Sequence, residues 1–298
     1  MSIIFALWKR NMRAFLRNKP ALIFNLVFPF FFLFIFGNMF RTLLGDGSET
    51  YMLAGIIIAT VFESSFRISS TTIDDMTSGF MKEVLVSPIS RLNIAAGQFV
   101  SSATISAFQG LMIFVAGFAI GMRVSSPLTV VWAILAMVFI GLLFSGFGLF
   151  IASKAKNLQT FQAVTMALTM PLMFLSGAYL PTIGLPNLLR NIAAFNPLTY
   201  AVNIFRTIVM ERFTAPTYEL VNETLAANIG GTVVNEQYVI GDVIHEVRYI
   251  TGGVNIGMLA SIGILLAFGL IFLTLSTIAF ARVDFSKMNR NVKDSIEL

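Results

Sequence analysis

Long apolar runs constrain this chain more than any other feature of its sequence. Residues 128–153, for example, contain no Asp, Glu, Lys or Arg. About 20 apolar residues cross a bilayer as a helix, which satisfies its own backbone hydrogen bonds in lipid. Six such spans are predicted, at residues 21–40, 51–73, 94–122, 128–153, 158–180 and 253–281. The sequence therefore predicts an all-α polytopic membrane protein with six transmembrane helices.

Composition agrees with a membrane location and excludes most catalytic chemistry. Charged residues make up 12% of the chain, about half the share of an average soluble domain. There is no cysteine and a single histidine, His245, which excludes Cys-ligated and multi-histidine metal sites. No GxxxxGK[ST] phosphate loop occurs. We predict no catalytic residue, no metal site and no enzymatic activity on this chain.

A proline-rich apolar stretch follows the fifth span. Residues 171–210 contain prolines at positions 171, 181, 186 and 197. A proline inside a helix removes a backbone donor and clashes with the preceding turn. The stretch therefore cannot form one straight helix, and the remaining segments, 185–195 and 198–210, are too short to span. We predict an outer re-entrant helical hairpin at 181–210, between the fifth and sixth spans.

The first 19 residues have the pattern of an interfacial helix. Residues 2–19 contain five basic residues and no acid. On a helical wheel, Lys9, Arg10, Arg13 and Arg17 fall within an arc of about 100°, and apolar side chains fill the rest. Such a helix lies in the membrane surface with its basic face toward anionic headgroups. The competing interpretation, a cleaved signal peptide, lacks a small-residue cleavage site.

The second span contains two charged residues, Glu63 and Arg67. Their i,i+4 spacing places them on one face, where they can pair. Charges at membrane depth normally face a bundle interior, a cavity or each other. The alternative is a helix that leaves the lipid early, with a solvated pair. The sequence leaves both interpretations open.

The positions of the basic residues predict the orientation. Of the 20 lysines and arginines, 14 lie in the N-terminus, the loop after the second span counted together with Arg67 near the end of that span, the link at 154–156 and the C-terminal tail. Basic flanks stay preferentially in the cytoplasm. We therefore predict that both termini, including the tail 282–298, are cytoplasmic. Residues 181–210 and the acidic segment 211–252 then lie outside, and that segment is a cap, a partner site or an inert insertion.

Three motifs resemble a known family. They are EVLVSPISRLNIAAGQ at residues 83–98, LSGAYLP at 175–181 and FNPLTYAVNIFR at 195–206. In this order and spacing they resemble the ABC-2 type transporter permeases, and within them the group that exports drugs and lipo-oligosaccharides. The resemblance implies an exporter subunit of the inner or plasma membrane with an amphipathic connecting helix at its start. It also implies dimerisation with a second copy and recruitment of two ATP-binding cassette subunits, which would bind ATP and Mg²⁺.

The resemblance also assigns roles to particular segments. It implies that the cytoplasmic loop 74–93 couples the permease to the ATPase; a solvated loop is the alternative. The candidate coupling residues are Asp75, Gly79, Glu83, Pro88 and Arg91. The candidate outer-gate residues on the re-entrant hairpin are Pro181, Asn196, Pro197 and Tyr200.

A substrate route at the dimer axis is predicted between spans two and five. Aromatic and methionine side chains suit an amphipathic or lipid-like substrate such as a drug, a lipid or a glycolipid. Lipid-facing filler is the alternative for each of these side chains. The candidate pathway residues are Phe62, Glu63, Phe66, Arg67, Phe161, Met166, Met170, Met173 and Phe174. The alternative function is an ion-coupled carrier or channel that uses Glu63 and Arg67 without an ATPase.

Overall fold

Helices form every regular element in the part of the chain that the structure describes. The computed structural model describes residues 3–44, 48–78, 90–120, 122, 124, 126–155, 157–179, 186–210 and 258–282. Its helices are α1 Ile3–Arg17, α2 Lys19–Leu44, α3 Ser48–Thr77, α4 Arg91–Ile120, α5 Pro127–Lys154, α6 Leu158–Leu175, α7 Asn187–Ala194, α8 Pro197–Val209 and α9 Met258–Arg282. The all-α prediction is confirmed for these residues.

Five helices are long and apolar enough to cross a membrane. Their candidate spans are Thr50–Asp75, Arg91–Phe118, Pro127–Lys154, Leu158–Leu175 and Met258–Ala279. The apolar segment of α2, Leu22–Phe32, is shorter than these five spans. The chain is thus a multi-pass membrane protein. The count of six spans stays a prediction.

Asx and serine caps define where several helices begin. The Ser126 hydroxyl accepts a hydrogen bond from the Leu128 N–H at 3.2 Å, and the Asn157 side chain accepts one from the Thr160 N–H at 2.7 Å. These acceptors satisfy backbone donors that have no partner within the helix. Proline follows Ser126 directly, because its fixed φ suits the first helical position.

The proline-rich stretch is divided into three helices. Its two short helices, α7 and α8, lie within about two residues of the bounds predicted from the prolines. Pro171, however, lies inside α6 and does not interrupt it. It stands four residues before the helix ends at Leu175, so only the last turn follows it.

Helix α3 forms the centre of the bundle. In α3, 89% of an 18-residue apolar stretch is buried, against 11% of the corresponding stretch in α6 and 17% in α9. Helices α4, α5 and α8 pack around α3, and α9 packs along α5. Every residue of α8 from Leu198 to Val209 is buried. The second half of the broken stretch is therefore a core element of the protomer, whereas α6 leaves most of its surface uncovered.

Candidate functional site

Polar contacts join α1 to both ends of the predicted coupling loop. The Arg10 guanidinium pairs with the Asp75 carboxylate and donates to the Asn11 side-chain oxygen at 3.0 Å. The Asn11 amide donates to the Gln98 side-chain oxygen at 2.9 Å. Asp75 lies near the end of α3 and Gln98 near the start of α4. We call these four residues the inner clasp, after the cytoplasmic side that the basic residues predict for them.

Two of the five predicted coupling residues can be placed. Asp75 belongs to the inner clasp, and Arg91 is the first residue of α4. Gly79, Glu83 and Pro88 lie outside the described residues. The role of all five in coupling stays a prediction.

Glu63 and Arg67 form an ion pair on the surface of the protomer. An Arg67 guanidinium nitrogen lies 2.8 Å from a Glu63 carboxylate oxygen, and Arg67 also donates to the Asn25 side chain of α2. The side chains are 45% and 46% exposed, respectively, in the middle of the candidate span Thr50–Asp75. The pairing that the sequence left open is therefore present, and the pair does not lie inside the helical bundle.

Aromatic side chains of α2 and α6 pack on Tyr179, which follows α6. The Tyr179 ring lies 4.4 Å from the Phe32 ring and 6.0 Å from the Phe174 ring, between centroids. Tyr179 thus joins α2 to the end of α6 through its ring contacts.

The structure divides the predicted pathway residues into two groups. Phe62 and Phe66 lie in the core of the protomer, where the Phe62 ring packs edge-to-face on the Phe144 ring, 4.8 Å between centroids. In this arrangement neither ring offers a surface to a substrate. Phe161 and Met173 are buried as well. That these four side chains line a substrate route stays a prediction. In this structure they are buried and line no open route.

The second group lies on one exposed stripe of α6. Met166, Met170 and Phe174 recur every four residues and are 62%, 53% and 50% exposed. Helices α3 and α6 contact each other, so the stripe lies on a helix that neighbours the one carrying the ion pair. We call this surface the open face; its residues are Glu63, Arg67, Met166, Met170 and Phe174.

The predicted outer-gate residues join α6, α7 and α8. The Asn196 side chain caps α8 by accepting from the Leu198 N–H at 3.0 Å, and it donates to the Leu172 carbonyl of α6 at 2.7 Å. Pro197 is the first residue of α8, and the Tyr200 hydroxyl donates to the Ala194 carbonyl of α7 at 2.6 Å. Pro181 lies outside the described residues. Asn196 and Tyr200 thus fix the geometry of the α7–α8 corner.

Sequence reasoning missed the most deeply buried cation of this region, Arg206 of α8. Its side chain donates to the Tyr51 carbonyl at 3.2 Å and to the Gly177 and Ala178 carbonyls at 2.6 and 3.5 Å. Its guanidinium carbon lies 3.6 Å from the centroid of the Tyr51 ring. We call this arrangement the guanidinium cage. The sequence signal that could have identified Arg206 is a single arginine at the end of the otherwise uncharged motif FNPLTYAVNIFR.

Two glycines make the guanidinium cage possible. Gly177 has a φ of 76°, which favours glycine because other residues strain there. A Cβ on Gly55 of α3 would lie 2.0 Å from the Ala178 carbonyl oxygen and 2.8 Å from an Arg206 nitrogen. The turn at 176–179 can therefore lie directly on α3; we call it the outer turn, after the side predicted for it from the basic residues.

Metal chemistry has no candidate among the residues that can be placed. Within the described ranges, no group of three or more His, Asp and Glu side chains is arranged to hold an ion.

The fold and these contacts define a class, a multi-pass α-helical membrane protein whose sites are polar contacts between helices. Comparison with known proteins gives the family. The ABC-2 type transporter family matches residues 3–210, more than half of the chain. The chain therefore belongs to the ABC-2 type transporter family, and the predicted resemblance is confirmed at that level.

Relatives carry names that agree with this family. The putative transport permease ycf38 of Cyanophora paradoxa is 27% identical over 243 residues, which cover 78% of this chain and 82% of that protein. Nodulation protein J of Rhizobium leguminosarum bv. viciae is 26% identical, covering 69% of this chain and 81% of that protein. The inner membrane transport permease YadH of Escherichia coli K12 is 23% identical, covering 67% and 80%.

Family membership has two direct consequences. An ABC-2 permease works with an ATP-binding cassette subunit, so such a partner is implied for this chain. The relatives named as permeases also indicate a transporter subunit and not an enzyme.

Proposed function

We propose that this chain is the permease subunit of an ATP-driven exporter that moves an amphipathic or lipid-like substrate outward. Two copies of the chain assemble with two copies of a separate ATPase, which binds ATP and Mg²⁺. The complex lies in the inner or plasma membrane, with both termini of the permease in the cytoplasm. The assignment to the group that exports drugs and lipo-oligosaccharides belongs to this proposal.

The observation that carries the proposal is the open face. Charged side chains at membrane depth are costly in lipid and normally face protein or water. Glu63 and Arg67 are about half exposed at this depth, and α6 beside them is mostly uncovered. A second copy of the chain, placed against α3 and α6, would shield this face from lipid. The substrate route then runs between the two copies.

The chemistry of the open face favours an amphipathic substrate. The ion pair supplies hydrogen-bond donors and acceptors for a polar group. The exposed Met166, Met170 and Phe174 supply an adaptable apolar surface for a hydrocarbon or aromatic group. A substrate with both kinds of group can contact both parts of the face.

The inner clasp supports a route by which ATP binding reaches the spans. In our proposal the loop 74–93 docks on the ATPase, and closure of the two ATPase copies moves this loop. Ligand binding shifts such an equilibrium only through its different affinity for the two states, so the docking contacts must change with nucleotide. The pair between Arg10 and Asp75 would transmit the movement to α1 as well as to α3.

At the outer end, the segment 181–210 closes the route in our proposal. Backbone that is not helical is tolerated at membrane depth only where protein or water surrounds it. The corner between α7 and α8 meets this condition, because Asn196 and Leu198 are buried against neighbouring helices.

The test is ATP-dependent transport by the reconstituted complex. We expect the chain to co-purify with an ATP-binding cassette protein and to move a short-chain, NBD-labelled phospholipid across liposomes only when ATP is present. Transport by this chain alone, driven by an ion gradient, would instead support an ion-coupled carrier that uses Glu63 and Arg67.

Orientation is tested separately because the chain contains no native cysteine. We expect single cysteines at Thr217 and Ser295 to react with a membrane-impermeant reagent from opposite sides. Reaction of both from the same side would contradict the six-span topology.

A further inference from the structure

Arg206 is a buried cation whose position needs an energetic reason. Its side chain is 2% exposed. Transfer of a charge from water into an apolar interior costs several kcal/mol unless polar groups replace the lost solvation. At Arg206 main-chain carbonyls and the Tyr51 ring replace it. The guanidinium suits this role because its planar fork offers five donors in fixed directions.

The guanidinium cage joins three segments that are distant in sequence. Tyr51 lies in the first turns of α3, Gly177 and Ala178 lie in the outer turn after α6, and Arg206 lies in α8. Helix α6 itself contributes little burial, since 11% of its apolar window is covered. The outer turn is therefore held chiefly at its contact with α3 and α8, where Gly55 permits the close approach.

We infer that Arg206 is the positioning residue of the exit: it holds the outer turn against the start of α3 and so keeps the outer end of the route closed. That this end of the route is an exit rests on the proposed function; the position of the turn against α3 does not. Each carbonyl contact can be exchanged for a hydrogen bond to water. Loss of these contacts therefore frees the outer turn from α3 without unfolding α3 or α8, while the hydrogen bond from Asn196 to the Leu172 carbonyl still holds the end of α6.

The first test measures the position of the turn and requires no transport. Ser176 in the outer turn and Ser145 in α5 are both buried, and neither is part of the cage. A single cysteine is placed at either position in the otherwise cysteine-free chain, within the assembled complex. The reaction rate with a small water-soluble thiol reagent is then compared between the native chain and Arg206→Lys. Lysine keeps the charge but loses the fork that reaches several carbonyls.

We expect Arg206→Lys to raise the reaction rate of Ser176→Cys about tenfold or more, as for the loss of a charge-assisted hydrogen bond. The rate of Ser145→Cys should stay unchanged. Continued protection of Ser176→Cys would overturn the inference. Equal acceleration at both positions would also overturn it, because Arg206 would then support the whole fold and not the position of the turn.

A second pair of variants tests the ring of the cage. Tyr51→Phe keeps an aromatic face under the guanidinium, whereas Tyr51→Leu removes it. We expect Tyr51→Leu, but not Tyr51→Phe, to accelerate the reaction of Ser176→Cys. Equal behaviour of the two variants would contradict a role for the ring.

The last test connects the turn to transport. We expect Arg206→Lys to lower ATP-dependent movement of the NBD-labelled phospholipid about tenfold, as for the lost hydrogen bond, while basal ATP hydrolysis continues. Unchanged transport with a freed turn would overturn the link to the exit. A freed turn in a complex whose native form moves no probe would instead point to a failure of the proposed function.

Discussion

Arginine is used at three levels of α3, and the surroundings differ at each level. At the start of the helix, the buried Arg206 binds main-chain carbonyls in the guanidinium cage. At its end, Arg10 of the inner clasp binds the Asp75 carboxylate with a side chain that is 33% exposed. Midway, Arg67 pairs with Glu63 while 46% of its side chain is exposed. Both ends of α3 are thus tied to neighbouring elements, and at its middle one exposed ion pair interrupts a helix that is otherwise buried.

The difference indicates what each arginine can do. A buried cation cannot leave its partners without a large desolvation cost, so Arg206 fixes a position. Arg10 is 33% exposed and Asp75 is 14% exposed, so water reaches this pair more easily than it reaches Arg206, and the pair can form and break during a cycle at a smaller cost. A pair at membrane depth on an open face is available to a substrate or to a second copy of the chain. The loss of stability on mutation should therefore decrease from the guanidinium cage, through the inner clasp, to the open face.

The largest loss of stability is expected for Gly55→Ala beside the guanidinium cage. The added Cβ would lie 2.0 Å from the Ala178 carbonyl oxygen, which must then move. Such overpacking costs about 1–3 kcal/mol. The midpoint of thermal unfolding of the purified complex should fall accordingly.

The matched control for this change is Gly263→Ala in α9. A Cβ there meets nothing within 4 Å. Removing a helical glycine at such a position is expected to stabilise by about 0.5–1 kcal/mol. If both variants unfolded at the native midpoint, the close contact between α3 and the outer turn would not exist in the membrane.

A smaller effect on stability and a larger one on coupling are expected at the inner clasp. Arg10→Gln removes the charge that faces Asp75. We expect stimulation of the partner ATPase by the permease to fall severalfold, whereas the unfolding midpoint falls less than it does for Gly55→Ala. The exchanged double variant, Arg10→Asp with Asp75→Arg, should restore part of the loss, since interacting pairs couple by about 0.5–3 kcal/mol.

The control for the clasp is Arg13→Gln, an exposed cation on the same helix. It should leave ATPase stimulation at the native level. Additive losses in the exchanged double variant would show that Arg10 and Asp75 act independently, and the clasp would lose its role in coupling.

Local sequence rules predict the helices and their caps but not the contacts that distinguish these three arginines. Pro197 follows Asn196, which accepts from Leu198, so the start of α8 follows from short-range chemistry. The guanidinium cage depends on the meeting of Tyr51, Gly177 and Arg206, which are far apart in sequence. No periodicity or cap contains that information.

The predicted pathway residues also show what local sequence rules leave undetermined. Phe62 and Glu63 are neighbours, and so are Phe66 and Arg67, so each pair is separated by about 100° around the helix. If one face enters the core, the adjacent face is left near the surface. The sequence could not say which face the neighbouring helices cover; the structure buries the two rings and exposes the ion pair.

The smallest effect on stability is expected for the double variant Glu63→Gln with Arg67→Gln on the open face. Exposed ion pairs contribute about 0–1 kcal/mol, so the unfolding midpoint should stay near the native value. Transport of the NBD-labelled phospholipid should nevertheless change severalfold, because the variant removes both charges that a polar headgroup would meet. ATP-dependent transport in liposomes measures this.

Thr274→Val on α9 provides the comparison, since Thr274 is also an exposed polar residue of a span and donates only to carbonyls of its own helix, Leu270 and Ile271. It should leave both transport and stability unchanged. If the double variant on the open face also transported the phospholipid at the native rate, Glu63 and Arg67 would not lie on the route. If the double variant instead unfolded at a temperature several degrees lower, the ion pair would have a structural role like that of Arg206. The expected decrease in stability effects from the guanidinium cage to the open face would then be wrong.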